Sequence, residues 1–333
     1  MRDPAAAPER RRPLVIVGPT ASGKTALAVA LAVCLAKRGE VAEIISADSM
    51  AIYRGMDIGT AKPNAEERAS ARHHVVDVAD PTEEYTVSRY AAEASLALAD
   101  IEARGNTPIV VGGTGLYVQA LIDGFTIPAQ FPEVLASVEA DPDTEGLHRR
   151  LAQLDPVAAE KMLPTNRRRI LRALEVTLGS GRPFSSFGPG VDQYPPSRFC
   201  QVGLAIDRDV MDARINARYD RQLADGFLTE VRALQASGFS RTAGQALGYK
   251  ELLDHLAGDL TLDEALELAR RRTRRFARRQ QRWFRRDPRI SWFDALAVDL
   301  VDEVDRHWEL QGQQQNSPAG DKSVGGNTVE LRD

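Results

Sequence analysis

Eight consecutive residues carry the first chemical signal in this chain. Gly18-Pro19-Thr20-Ala21-Ser22-Gly23-Lys24-Thr25 follow the apolar run Leu14–Val17 and precede an apolar helical pattern over Ala26–Leu35. Two glycines with four residues between them, then Lys and Thr, make a phosphate-binding loop when a strand leads in and a helix leads out. The glycines admit backbone conformations and close approaches that a Cβ blocks. Successive N–H groups then converge on one anion at the positive end of the following helix. Lys24 adds a mobile cation, and the Thr25 hydroxyl is placed to ligate Mg²⁺. Gly18, Pro19, Thr20, Ala21, Ser22, Gly23, Lys24 and Thr25 are therefore expected to hold a di- or triphosphate, with Mg²⁺ as cofactor.

Two further turns belong to the same constellation. A second apolar run, Glu43–Ser46, leads directly into Asp48–Pro63. In open parallel sheets ligands bind beyond the carboxyl ends of the strands, so Asp48 falls beside the phosphates. Position alone leaves it open as a helix N-cap, a Mg²⁺ ligand or a general base. A later run, Pro108–Gly112, ends in Gly112-Gly113-Thr114-Gly115-Leu116-Tyr117. A phosphohydrolase usually carries an acidic metal ligand there. Its absence weakens an ATPase reading and leaves room for another substrate close to the backbone.

Charge supplies the second signal. The 333 residues carry a formal net charge of −4, yet residues 270–289 hold eleven arginines against one acid, Asp287. Arg167-Arg168-Arg169 with Arg172 forms a second cluster. An acidic chain that concentrates cations in two places points to a polyanionic partner. Phe276 and Trp283, seven residues apart, are expected to pack on the core, leaving the arginines of the other face for that polyanion.

Alternating apolar runs and amphipathic segments predict an α/β protein: a P-loop-type parallel sheet flanked by helices. Expected strands are Leu14–Val17, Glu43–Ser46, His74–Val78, Pro108–Gly112, Gln201–Ile206 and Ile290–Phe293. Helices are expected over Lys24–Lys37, Val87–Arg104, Leu116–Ile122, Arg208–Ala224, Thr229–Ser237 and Asp263–Arg285. Between residues 125 and 196 the strand pattern lapses into helical segments at Pro132–Ala140, Thr144–Leu154, Pro156–Met162 and Arg167–Gly179. The predicted organisation is a core of residues 13–124 plus 197–311, interrupted by a helical insertion domain at 125–196. Residues 1–12 and 312–333 are expected to be disordered.

The loop Gly18–Thr25, the stretch Asp48–Pro63 and the turn Gly112–Tyr117 resemble the tRNA dimethylallyltransferase (tRNA isopentenyl transferase) family. So do Arg214–Arg218, Gln245–Lys250 and Ala277–Arg285, and the likeness runs in order over roughly residues 13–294. The family moves a dimethylallyl group from dimethylallyl diphosphate to N6 of adenosine 37, next to the tRNA anticodon. The resemblance implies that the phosphate loop grips the diphosphate leaving group with Mg²⁺ on Thr25. It implies that Asp48 is the general base, that Thr114 lines the reaction channel, and that Arg218 holds the diphosphate. The implied tRNA contacts are Asp48, Ser49, Met50 and Ala51, then Arg168, Arg169, Ile170, Leu171 and Arg172 in the insertion. They continue with Gln245, Ala246, Leu247, Gly248, Tyr249 and Lys250. The last group is Arg278, Arg279, Gln280, Gln281, Arg282, Trp283, Phe284 and Arg285. Leu135 departs from the family pattern, which often carries an arginine near the RNA at that place.

Other classes fit less well. A small-metabolite kinase shares the loop but leaves eleven arginines in twenty residues without a purpose. An adenylate isopentenyltransferase leaves the basic module equally idle, and a non-catalytic RNA-binding protein has no need of Lys24 and Asp48. No apolar stretch approaches the ~20 residues of a membrane span. Two isolated cysteines, Cys34 and Cys200, favour buried reduced thiols over disulfides. A cytoplasmic monomer with tRNA and dimethylallyl diphosphate as partners is expected.

Overall fold

A computed structural model describes residues 11–124, 127–188 and 190–316, with side chains to residue 312. Six strands, β1 (Leu14–Val17), β2 (Ala42–Ser46), β3 (His73–His74), β4 (Thr107–Gly112), β5 (Cys200–Ala205) and β6 (Ser291–Asp294), form one sheet. Their order is β3-β2-β4-β1-β5-β6, and every pairing is parallel. The helices are α1 (Lys24–Lys37), α2 (Ala65–Ser70), α3 (Val87–Ala103), α4 (Gly115–Ile122), α5 (Pro132–Glu139), α6 (Thr144–Leu154) and α7 (Pro156–Glu160). They continue with α8 (Arg167–Ser180), α9 (Arg208–Ala224), α10 (Phe227–Gln235), α11 (Tyr249–Leu256), α12 (Leu262–Phe284) and α13 (Leu300–Asn316).

The strands are continuously apolar because both faces of the sheet are covered, as parallel sheets require. On one face Leu14 and Ile16 pack with Leu27, Leu31 and Leu35 of α1 and Trp308 of α13. On the other, Val15, Val17, Ile45 and Val110 join α3, α4 and α9–α12 in a larger core. Helices α5–α8 bury their own cluster, including Val138, Leu147, Leu151, Ile170 and Leu174. Leu135, where the family pattern often has an arginine, packs against that cluster. Buried Asp155 ties the start of α7 to the segment after α8 by capping α7 at Ala158 and accepting two hydrogen bonds from Ser185. Arg289 pins both connections to the core, bonding Asp123 before these helices and the Pro195 carbonyl after them.

Three expectations need correction. The strand foreseen at His74–Val78 stops at His74, because Val75 and Asp77 adopt left-handed conformations with φ of 58° and 57°. That kink lets the Asp77 carboxylate reach buried Lys62 and Arg68. Arg11 and Arg12 are ordered: Arg11 pairs with Glu40, Asp305 and Glu309, and Arg12 donates to the Ser197 and Arg198 carbonyls. The segment expected to be disordered from 312 continues α13 to Asn316; residues 1–10 and 317–333 lie outside the described residues. Cys200 is buried, which pushes its thiol up to about 11 and keeps it inert at neutral pH.

Candidate active site

Sheet order explains why distant sequence segments meet. With β2, β4, β1 and β5 as consecutive neighbours, the turns after all four open onto the same crevice. The turn after β1 is the phosphate loop, the turn after β2 carries Asp48, and that after β4 is Gly112–Thr114. The turn after β5 leads into α9 and its arginines. Gly112 is required by contact: a Cβ there would stand 2.1 Å from the Ala47 carbonyl oxygen. Without that side chain the Thr114 N–H donates to Ala47 O at 3.2 Å. The Thr114 hydroxyl in turn accepts the Ser49 N–H at 3.1 Å. Thr114 thus fastens the Asp48 turn to the end of β4.

Inside this frame the loop is cationic. The Lys24 ammonium donates to the Pro19 carbonyl at 2.7 Å. Burial lowers its pKa to about 8; Asp48 opposes that shift and Arg218 adds to it. Arg218, from α9, donates through one Nη to the Thr20 hydroxyl at 2.8 Å, while its buried Nε has no partner among the described residues. Desolvation holds the Arg218 pKa below its ordinary value, with Asp48 pulling the other way. Ser22 Oγ is likewise buried and unpartnered. Two crowded cations and two idle donors cost free energy unless an anion satisfies them. A ligand with several negative oxygens would satisfy both.

Asp48 is the carboxylate facing this charge. Its Oδ1 accepts the Met50 N–H at 2.8 Å, an Asx turn that fixes the side chain. Oδ2 has no hydrogen-bond partner among the described residues, which leaves it open to accept a proton. Among the described residues no group of three or more His, Cys, Asp and Glu is placed to hold a metal. The Thr25 hydroxyl also makes no hydrogen bond among the described residues. One hydroxyl suits Mg²⁺, which keeps waters and takes most of its remaining ligands from substrate phosphates.

The sequence-predicted RNA residues divide sharply. On α12, Arg270, Arg272 and Arg274 pair with Asp220, Glu251 and Glu267, and Arg286 pairs with Asp192. Among the described residues Arg271, Arg275, Arg278, Arg282 and Arg285 pair with no carboxylate, and their spacing of three and four residues makes one stripe. That stripe lies opposite the buried face formed by Thr273, Ala277, Gln280 and Phe284. Arg168 and Arg169 are also exposed and unpaired. Ile170 and Leu171 belong to the insertion core, and Arg172 is spent on Glu175 and the Pro128 carbonyl. Ala51, Ala246, Tyr249 and Phe284 are core residues. Lys250 pairs with Asp254, while Gln245 is exposed. Phe276, expected in the core, is half-exposed under the Arg279 guanidinium; Trp283 packs on the core and lies against Gly115.

Some site-forming residues gave no sequence signal. Glu230 of α10 accepts the backbone N–H groups of Asp57, Ile58 and Gly59 and the Tyr249 hydroxyl. It thereby clamps the long stretch that follows Asp48, and a glutamate on a helix surface does not announce such a task.

This geometry defines the class: a protein of parallel α/β type with a cationic loop and a facing carboxylate beyond its strand ends. The IPP transferase family model matches residues 51–287, so the phosphate loop and Asp48 lie outside the matched range. The tRNA dimethylallyltransferase of Kineococcus radiotolerans is 51% identical over 90% of this chain and 96% of its own length. That of Thermobifida fusca is 49% identical over 87% and 92%. The crystal structure of a tRNA isopentenylpyrophosphate transferase from Bacillus halodurans superposes with a TM-score of 0.66. It is 36% identical, over 92% of this chain and 99% of that one. A eukaryotic dimethylallyltransferase acting on tRNA superposes with a TM-score of 0.75 at 27% identity, over 94% of this chain and 81% of that one. The chain belongs to the IPP transferase family.

Proposed function

We propose that this protein transfers the dimethylallyl group of dimethylallyl diphosphate to N6 of adenosine 37 in the tRNA anticodon loop, releasing diphosphate. The observation that carries the reading is the pairing of an undercompensated cationic cradle with one carboxylate whose Oδ2 is free. As the allylic C–O bond breaks, positive charge develops on the dimethylallyl group and negative charge on the diphosphate. Loop N–H groups, Lys24 and Arg218, held in one frame by their bonds to Pro19 and Thr20, would meet that negative charge with little reorganisation. The N6–carbon bond forms as the C–O bond breaks, and the N6 proton passes to Asp48. An adenine amine is a poor nucleophile, and a placed carboxylate contributes roughly 10²–10⁴-fold. When bound, Mg²⁺ at Thr25 supplies charge neutralisation of the diphosphate.

Adenosine 37 must leave the anticodon stack to meet the donor, at a cost of a few kcal/mol. The arginine stripe of α12 and the Arg168–Arg169 pair supply the phosphate contacts that offset it. None of the helices described is long and apolar enough to cross a membrane, and the enzyme is proposed to act as a cytoplasmic monomer. The test is direct. Protein, Mg²⁺, dimethylallyl diphosphate and an anticodon stem-loop with three consecutive adenosines are incubated, and the RNA is weighed. A product heavier by one isoprenyl unit is expected; an RNA of unchanged mass refutes the proposal. ATP turnover without a prenyl donor supports the kinase reading instead.

A further inference from the structure

We infer that Gln280 is a positioning residue of the transfer reaction: its amide straps the phosphate loop to the turn after β4 and fixes the loop's shape for the donor diphosphate. This rests on the reading of Gly18–Thr25 as the donor cradle. Gln280 lies in the run of α12 that the family resemblance assigns to tRNA, yet it is only 6% exposed and points inward. Its Oε1 accepts the Thr20 N–H at 2.8 Å, and its Nε2 donates to the Gly113 carbonyl at 2.8 Å.

The partner it chooses matters. Pro19 C=O and Thr20 N–H belong to one planar peptide unit. Gln280 holds the N–H end, while Lys24 holds the carbonyl end at 2.7 Å. Arg218 meanwhile takes the Thr20 hydroxyl. Rotation of this peptide would turn a carbonyl toward the anion site, where it would repel the diphosphate. With Gln280 in place the carbonyl stays parked on Lys24 and the Ser22 N–H, and the N–H groups of Ala21, Gly23, Lys24 and Thr25 remain for the ligand. The strap also accounts for Gly113, since a Cβ there would stand 2.2 Å from Gln280 Nε2.

Gln280→Met preserves length and removes both hydrogen bonds; Gly113→Ala attacks the same strap from its other end. Each variant is checked by circular dichroism and thermal melting, and each is read in the same way, so either suffices if the other does not fold. Isothermal titration with inorganic pyrophosphate and Mg²⁺ measures the cradle alone. Losing two hydrogen bonds predicts about tenfold weaker pyrophosphate binding. The KM for dimethylallyl diphosphate should rise by the same factor, with the KM for tRNA unchanged. Pyrophosphate affinity and donor KM both at wild-type values overturn the inference, as does a rise confined to the tRNA KM, which marks an RNA contact. Wild-type protein that binds no pyrophosphate refutes the cradle reading itself, a separate outcome.

Discussion

Replacing Asp48 with Asn separates two roles that one carboxylate combines. The Asn carbonyl oxygen still accepts the Met50 N–H, now 2.8 Å from Oδ1, so the turn and its link to Thr114 persist. What disappears is one negative charge and one proton acceptor. Without the acceptor, the single-turnover rate at neutral pH should fall by roughly 10²–10⁴-fold while tRNA affinity holds. Without the charge, Lys24 loses the one influence that raises its pKa, and burial and Arg218 take it below the wild-type value of about 8. Diphosphate binds the protonated ammonium, so donor KM in the wild type should climb as pH rises through about 8. In D48N that climb should begin at lower pH. The sign for stability is the reverse. The folded pKa lies below the ordinary 10.5, so ligand-free wild type carries a penalty at low pH that is relieved between about 8 and 10.5. Rates are read by quench-flow on a preformed enzyme–tRNA complex with saturating donor, and donor KM across neutral to alkaline pH. A D48N rate within about threefold of wild type would remove Asp48 as base. An unshifted KM profile would show that Lys24 is not the titrating group.

Three further perturbations address the other parts of the site. Arg218→Ala should raise donor KM at least about tenfold, the scale of a lost charged hydrogen bond, and leave tRNA affinity intact; the opposite pattern in steady-state kinetics refutes its assignment. Neutralising Arg278 and Arg282 together should weaken tRNA and flatten the slope of log affinity against log salt by about 1.5; an unchanged slope means the stripe does not face RNA. Glu230→Gln should cost about 1–3 kcal/mol in urea denaturation, because three backbone N–H groups lose a charged acceptor. Loss of tRNA affinity without loss of stability would instead make Glu230 an RNA residue.

Much of the frame was legible because local rules dominate it. Helices α1, α6 and α9 begin and end where capping and periodicity place them, at Lys24–Lys37, Thr144–Leu154 and Arg208–Ala224. Helix α12 starts on a Thr261–Glu264 capping box and runs within a residue of its expected bounds. Helices α11 and α13 were not foreseen, and β3 was foreseen as a longer strand, His74–Val78. Each depends on a distant partner: Tyr249 on Glu230, Trp308 on the Arg12 carbonyl, and Asp77 on Lys62. The arginines were visible as a count, but which are spent on carboxylates and which stand free became apparent only with neighbours in place.

The chain alone determined a glycine-rich loop of phosphate-binding pattern, an acidic turn, a glycine turn and a cationic helix, since each is written in contiguous residues. Tertiary structure decided which of those residues meet. Sheet order brings the ends of β2, β4 and β1 side by side, and α12 then turns Gln280 inward and its arginine stripe outward. A hydrogen bond spanning 260 residues, such as Thr20 to Gln280, leaves no local trace, because neither residue's neighbours encode the other's position.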